Sequence, residues 1–185
     1  FQQAAFQVGS IITTTGYATT DFNVWPVFSK TILVILMFVG ACAGSTGGGI
    51  KVSRLLILCK SARKELQLYL HPNAVKKIKM DDKAIPHEVV RATNMFLFVY
   101  IMIFVTSLLI ISLDNLDMVS NFTAIAATLN NIGPGLGAVG PTGNFDTYSY
   151  ISKAVMIFDM LAGRLEVFPP VSYTHLRAHE TGRNL

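Results

Sequence analysis

Charged residues are scarce in this sequence and unevenly placed. Asp, Glu, Lys and Arg make up 14% of its 185 residues, whereas soluble domains carry about a quarter. Residues 95–113 contain no charge, and such a run is long enough to cross a hydrocarbon core of roughly 30 Å as one helix. Two further apolar runs cover residues 31–43 and 148–168. Because three such runs leave little sequence for a separate soluble core, we predict an all-α integral membrane protein.

Cysteine is also rare, which excludes two kinds of site. Cys42 and Cys59 are the only cysteines, and their spacing suits neither a disulfide framework nor a metal centre. We therefore predict neither kind of site at these cysteines, and we also expect this chain to bind no cofactor. The uncharged run at 95–113 also argues against a soluble nucleotide-binding domain. We expect that the protein is not an enzyme.

Lysine and arginine concentrate in one segment. Ten of the fifteen lie between Lys51 and Arg91. A basic segment can bind nucleic acid, but a basic loop beside membrane spans is retained in the cytoplasm. We adopt the second interpretation and expect no nucleic-acid partner. With residues 51–91 inside, residues 1–26 and 114–147 fall on the outer side of the membrane.

Two parts of the sequence repeat one pattern. Residues 22–40 align without a gap with residues 145–163, and the identical pairs are Phe22/Phe145, Ser29/Ser152, Lys30/Lys153, Met37/Met160 and Gly40/Gly163. Upstream of each copy, a short helical segment ends in a polar turn containing Gly16 or Gly133. The second copy has six extra residues between this glycine and its phenylalanine. Because two crossings separate the copies, we predict a parallel repeat of span, half-helix, re-entrant loop and span.

The glycine turns require an explanation, because irregular backbone at membrane depth is tolerated only where it is buried in protein or lines a watery cavity. A cation pore provides one, since backbone carbonyls can replace part of the hydration shell of an ion. Glycine adopts the necessary φ and ψ without a Cβ penalty, and the negative end of the preceding helix favours a cation. The alternative is that Gly16 and Gly133 are ordinary turn glycines. Their equivalent places in the repeat favour the pore.

Several motifs together resemble the Trk/Ktr/HKT superfamily of potassium transporters. They are ITTTGYA at 12–18, GACAGSTGGGIK at 40–51, NNIGPG at 130–135 and MLAGRLE at 160–166. The segment HPNAV at 71–75 resembles the TrkH branch specifically. The resemblance implies four span–pore–span repeats in one chain, a homodimer, and control by a cytoplasmic nucleotide-binding subunit of the TrkA type. It also implies a multi-pass protein of the bacterial inner membrane, of which this chain holds an incomplete third repeat and the fourth.

The resemblance also assigns the selectivity filter. Its residues would be Thr14, Thr15, Gly16, Tyr17, Asn131, Ile132, Gly133 and Pro134. Potassium, the transported substrate, would bind through the backbone carbonyls of Thr15, Gly16, Ile132 and Gly133. Glycine at both turns favours potassium over sodium. The alternative function is a sodium-coupled or sodium-translocating carrier that uses a broken helix as its site.

The helix of the first inner span is predicted to break where glycines interrupt it. The residues of this break are Gly44, Ser45, Thr46, Gly47, Gly48 and Gly49. Each glycine costs a helix about 1 kcal/mol. A phosphate-binding loop would need Lys directly after its last glycine, but Ile50 stands there; tight helix packing through small residues is another alternative. In the resembled family this loop obstructs the pore and moves on gating, with Arg164 beside it. A simpler alternative pairs Arg164 with Glu166 or Asp159.

These features divide the chain into four parts. Residues 1–50 would hold the pore helix, filter loop and broken inner span of the third repeat, and residues 51–93 a basic cytoplasmic linker. Residues 94–169 would form the fourth repeat. The polar, basic tail at 170–185 resembles vector or adapter sequence and is expected to be non-native.

Overall fold

The computed structural model describes residues 1–40, 48–70, 78–80 and 83–164, and helices dominate this part of the chain. The α-helices are α1 (Gln2–Ile12), α2 (Val27–Phe38), α3 (Val52–Leu70), α4 (His87–Ile111), α5 (Met118–Leu129) and α6 (Tyr150–Arg164). Two short strands, β1 (Lys79–Met80) and β2 (Lys83–Ala84), pair antiparallel. The prediction of an all-helical chain did not include this pair. The predicted non-native tail at 170–185 lies outside the described residues.

The uncharged run at 95–113 lies within the longest helix described. His87–Asp114, which is α4 with a final 3-10 turn, is the one helix among the described residues that is long and apolar enough to cross a membrane alone. The helix begins after Pro86, which has an extended backbone and loses no helical hydrogen bond there. The other two apolar runs appear as α2 and α6, with 12 and 15 residues. Within the described residues, both are shorter than the about 20 residues of a simple crossing.

Helix α3 occupies much of the predicted basic linker, and the sequence analysis did not predict it. Its first turns pack beside α4, because the Arg54 guanidinium carbon lies 4.2 Å from the centroid of the Phe96 ring. Further along, Ile57 of α3 shares a small buried cluster with Ile78 and Val90. The basic segment therefore starts alongside the apolar span.

The two copies of the repeat pack against each other. Ile11, Phe22, Leu33 and Met37 of the first copy form one buried cluster with Ala126, Ile132 and Leu136 of the second. A second cluster joins α4, α5 and α6. Helix α5 lies between these clusters, and nine of its 12 residues are buried. Its far end carries the turn that contains Gly133.

Candidate functional site

Helix α1 ends in a turn with a left-handed residue. The Thr14 N–H donates to the Ile11 carbonyl at 3.1 Å, and the Thr15 N–H donates to the Ser10 carbonyl at 2.9 Å. These two bonds form the Schellman motif that closes many helices. The left-handed position belongs to Thr14, with φ of 55°. A β-branched residue with this φ stores strain of roughly 1–3 kcal/mol.

Helix α5 ends in the same way. The Asn131 N–H donates to the Thr128 carbonyl at 3.0 Å, and the Ile132 N–H donates to the Ala127 carbonyl at 2.9 Å. Asn131 also has φ of 55°. The two predicted filter segments thus have matching backbone conformations, although only their glycines are identical.

The glycines in the two turns meet different demands. Gly16 has φ of +79°, and an added Cβ would overlap the carbonyl oxygen of Ile132. Gly133 has φ of +116°, but a Cβ there would lie 3.7 Å from the Cα of Gly16, an ordinary contact. Gly16 is therefore required by both conformation and space, whereas Gly133 is required by conformation alone.

The same contacts place the two turns side by side. The side chain of Ile132 is 3% exposed and inserts into the core shared by the copies, while its carbonyl adjoins Gly16. An open groove of about 510 Å³ runs past both turns, and its lining includes Thr14, Thr15 and Gly133. Tyr17 is 73% exposed. The structure therefore brings together segments that are more than a hundred residues apart in the sequence.

Threonine and serine hydroxyls hold the first turn in shape. Thr13 Oγ1 lies 2.7 Å from both the Gly9 carbonyl, to which it donates, and Thr15 Oγ1. Ser10 Oγ donates to the Tyr17 carbonyl at 2.7 Å. Thr13 and Ser10 were not among the predicted site residues, although a hydroxyl at the end of a helix is a common partner for backbone groups.

Asn130 is the central residue of the second turn, and the sequence analysis missed it. It is fully buried, its Oδ1 accepts a hydrogen bond from the Tyr100 hydroxyl at 2.8 Å, and its Nδ2 donates to the Ala126 carbonyl at 2.7 Å. Tyr100 lies near the middle of α4, so the turn lies at mid-depth of the candidate span. The following residue, Asn131, donates from Nδ2 to the Met160 carbonyl of α6 at 3.0 Å. The sequence feature that could have indicated this role is the pair of adjacent asparagines at the end of an apolar helix.

The first inner span stops being helical before the glycines at which its break is predicted. Helix α2 ends at Phe38, and Val39 is extended. Ile50 then pairs with the end of this helix. The Gly40 N–H donates to the Ile50 carbonyl at 2.9 Å, and the Ile50 N–H donates to the Phe38 carbonyl at 3.2 Å. Of the predicted gate residues, Gly44, Ser45, Thr46 and Gly47 lie outside the described residues.

The other two gate glycines adjoin the second turn. A Cβ added at Gly48 would overlap the Asn130 carbonyl group. Gly49 has φ of +78°, and a Cβ there would lie 3.3 Å from Asn130 Oδ1. The base of the glycine loop is therefore packed against the end of α5.

The charged residues of α6 have separate surroundings. Arg164 is the last residue of α6 and is exposed; its proximity to the glycine loop stays a prediction. Asp159 is fully buried, and its Oδ1 accepts a hydrogen bond from the Ser107 hydroxyl of α4 at 2.7 Å. Its Oδ2 has no hydrogen-bond partner among the described residues. Ser107 of α4 is thus a hydrogen-bond partner of Asp159.

The equivalent lysines of the two copies make equivalent contacts. Lys30 Nζ donates to the Asn23 carbonyl at 3.1 Å, and Lys153 Nζ donates to the Asp146 carbonyl at 3.3 Å. Lys153 also donates to Asp146 Oδ1 at 2.8 Å. This hydrogen bond, with the attraction of the ammonium charge, lowers the pKa of Asp146 below its ordinary value. Each lysine ties its inner span to the short segment that follows the turn.

Known proteins resemble the chain over nearly all of its length. The TrkH family model, described as a cation transport protein, matches residues 1–183. The chain is 45% identical over 166 residues to the Trk system potassium uptake protein TrkH of Escherichia coli K12, covering 90% of this chain and 34% of that protein. It is 34% identical over 171 residues to the Trk system potassium uptake protein TrkG of the same organism, covering 92% and 35%.

A solved structure has the same fold. The crystal structure of the potassium transporter TrkH from Vibrio parahaemolyticus superposes with a TM-score of 0.79 at 46% identity, over 90% of this chain and 35% of that one. The chain thus spans about a third of the length of the relatives it matches. Since the family model covers almost every residue, the chain belongs to the TrkH family of cation transport proteins.

Proposed function

We propose that this chain supplies two of the filter segments of a potassium-conducting pore in a Trk-type uptake system. One observation carries the proposal: two helix ends with the same left-handed turn lie side by side, and Tyr100 at mid-span holds one of them. Non-helical backbone at that depth of a membrane span is tolerated only where protein buries it or where it lines a watery cavity. A filter for a desolvated cation meets this requirement.

The ion is bound by the main chain. The carbonyls of Thr15, Gly16, Ile132 and Gly133 replace part of the hydration shell of potassium. Helices α1 and α5 present their C-terminal ends at the turns, and the partial negative charge there favours a cation. The Ile132 carbonyl adjoins Gly16, so oxygens from both copies share one passage. The chain acts by selecting and conducting an ion rather than by catalysis.

The glycine loop is the gate of this pore. Its base is closed by the backbone hydrogen bonds that join Ile50 to Gly40 and to Phe38, and Gly48 packs against Asn130 at the second turn. We expect the loop above this base to lie under the filter and to obstruct the passage until it is displaced. We expect Arg164 to lie beside this loop, where its positive charge would oppose a cation by several kcal/mol at an effective dielectric constant near 20.

The complete protein has further repeats of span, half-helix, loop and span. Met37 is 1% exposed because the second copy covers it, whereas its equivalent Met160 is 45% exposed on α6, beside Ile157 and Leu161 at 60% and 57%. We infer that another repeat packs on this face of α6. The assembly is a homodimer in the bacterial inner membrane, in contact with lipid, and a TrkA-type subunit regulates it from the cytoplasmic side, where residues 51–91 lie.

The test is Gly16→Ser in the complete protein, reconstituted in liposomes. Serine at this φ and in this space displaces the Ile132 carbonyl, and we expect the ratio of potassium to sodium permeability to fall about tenfold, equivalent to about 1.4 kcal/mol. Gly9→Ser is the matched control, because an added Cβ at Gly9 has no described atom within 4 Å. It should leave the ratio unchanged.

Two results would contradict the proposal. A Gly16→Ser protein that inserts normally and discriminates as the wild type does would make Gly16 an ordinary turn residue. Potassium flux tied to sodium in a fixed stoichiometry would indicate the carrier instead.

A further inference from the structure

Asn23 connects the two copies outside the filter turns. Its Oδ1 accepts a hydrogen bond from the Gly137 N–H at 3.0 Å, and its Nδ2 donates to the Gly137 carbonyl at 3.4 Å. A Cβ added at Gly140 would overlap the same Nδ2. One side chain of the first copy therefore binds both backbone groups, the N–H and the carbonyl, of one residue of the second copy.

The partner of Asn23 lies in the stretch that makes the second copy longer. This stretch contains the 3-10 turn Gly137–Val139. The Ala138 N–H donates to Ser120 Oγ at 2.9 Å, and the Leu136 N–H donates to Thr123 Oγ1 at 2.9 Å. Ser120 and Thr123 are buried residues of α5. The turn is thus fixed to the helix whose other end carries Gly133.

Asn23 is also fixed within its own copy. Its N–H donates to Asp21 Oδ1 at 2.9 Å, and its carbonyl accepts a hydrogen bond from Lys30 Nζ at 3.1 Å. Only a short segment separates Gly16 from Asp21. Hydrogen bonds therefore connect Asp21 to Asn23, Asn23 to Gly137, and the turn at Gly137 to α5. The chain from Gly16 to Asp21 and the helix α5 extend this connection to the two filter turns.

The equivalent residue of the second copy makes no such bridge in the part of the chain that the structure describes. Asp146 stands where the first copy has Asn23, and its carboxylate pairs with Lys153 of its own copy at 2.8 Å. Its side chain is 85% exposed. The two positions therefore share a place in the repeat but differ in whether they join the copies.

We propose that Asn23 is a positioning residue for ion selection: by holding the turn Gly137–Val139, it sets the separation of the two filter turns. The inference rests on the proposed function, because this separation matters for transport only if the turns form a filter. Selectivity depends on the size of the ion cavity or on the number and field of its carbonyls. Both quantities change when one turn moves relative to the other.

The test compares Asn23→Ala, Asn23→Asp and Asp146→Ala in the complete protein, at equal amounts of reconstituted protein. Asn23→Ala removes both hydrogen bonds and should lower the ratio of potassium to sodium permeability about fivefold, equivalent to about 1 kcal/mol. Asn23→Asp keeps the acceptor for the Gly137 N–H but sets a carboxylate against the Gly137 carbonyl, so its ratio should fall by less. Asp146→Ala should keep the wild-type ratio.

The outcomes separate this inference from the proposed function. If Gly16→Ser changes selectivity while Asn23→Ala does not, the filter stands and the role of Asn23 is wrong. If the wild-type protein does not discriminate between the ions, the proposed function fails first. Equal losses in the Asn23 and Asp146 variants would mean general loosening of the loops. Failure of both Asn23 variants to insert in the membrane would make Asn23 a folding residue, and either result would overturn the proposal.

Discussion

The two copies have the same turn but different supports for it. Thr14 and Asn131 have the same φ of 55°, and each turn closes with the same pair of backbone hydrogen bonds. The first turn is held by the hydroxyls of Thr13 and Ser10 from its own helix. The second is held by two asparagine side chains, with Asn130 bound to Tyr100 of α4 and Asn131 to α6.

This difference shows what the repeat preserves. The main chain is the part that binds the ion in the proposed function, so its shape is constrained in both copies. Side chains that support it can be replaced by others that donate or accept the same number of hydrogen bonds. Sequence identity between copies is therefore low where structural identity is high.

The inner spans differ in a second way. Gly40 and Gly163 are equivalent, yet the chain leaves the helix before Gly40 and remains helical through Gly163 to Arg164. Gly163 is packed closely, since an added Cβ there would overlap the Leu129 carbonyl. A glycine at this place therefore does not break the helix by itself. The glycines that follow Gly40 have no counterpart in the second copy.

The largest effect should come from moving the loop that only the first copy has. A Cβ at Gly48 would overlap the backbone carbonyl of Asn130, a fully buried residue whose side chain is bound by Tyr100 and by the Ala126 carbonyl. Gly48→Ala should therefore displace the loop and raise potassium flux about tenfold without the regulatory subunit, which is about 1.4 kcal/mol off the barrier. Arg164→Ala should also raise the flux, because it removes a charge that opposes the ion. Flux is measured in liposomes, with Gly9→Ala as the control.

The double variant then tests whether the two residues act on one barrier. Residues that share a barrier show non-additive effects, so the combined gain should be smaller than the product of the single gains. A gain equal to the product would indicate two independent barriers. Unchanged flux in both single variants would show that the loop does not gate the pore.

The features that could be predicted from the sequence are those with a local cause. The uncharged run became the C-terminal part of α4 and its final 3-10 turn, and the repeat predicted two matching turns. Each follows from composition or from the conformational freedom of glycine. The membership in the superfamily was also visible in short motifs, and the family model confirms it.

Long-range contacts could not be predicted in this way. Tyr100 and Asn130 are 30 residues apart, and Asn23 and Gly137 are 114 apart. Nothing in the local pattern distinguishes such an asparagine from one in an ordinary turn. Helix α3 was missed because its basic residues suggested a linker, although its helix formers and the packing of Arg54 on Phe96 favour a helix beside α4.

A smaller effect should distinguish the two filter glycines. Gly16→Ser violates both φ and space, whereas Gly133→Ser violates φ alone, because the nearest described atom would be 3.7 Å from its Cβ. Gly133→Ser should therefore reduce the ratio of potassium to sodium permeability by less than Gly16→Ser does. The left-handed conformation alone costs a non-glycine residue roughly 1–2 kcal/mol. Bi-ionic potentials measured on both variants provide the comparison, and equal losses would show that the contact with Ile132 has no influence.

The smallest effect concerns a position where the copies differ in polarity. Asp159 occupies the place of Leu36 in the first copy, and a central aspartate costs a spanning helix about 2.5–3.5 kcal/mol. Among the described residues its hydrogen-bond partner is Ser107, so Ser107→Ala removes the hydrogen bond that the buried carboxyl makes there, at a cost of about 1–3 kcal/mol. The apparent Tm of the complete protein in detergent should fall by a few degrees. Asp159→Leu should keep or raise the Tm, because Ser107 can then donate to a carbonyl of its own helix. A lower Tm in Asp159→Leu than in Ser107→Ala would show that the Asp159 carboxylate itself stabilises the second copy. Asp159 would then occupy the place of Leu36 in the repeat but have a different role.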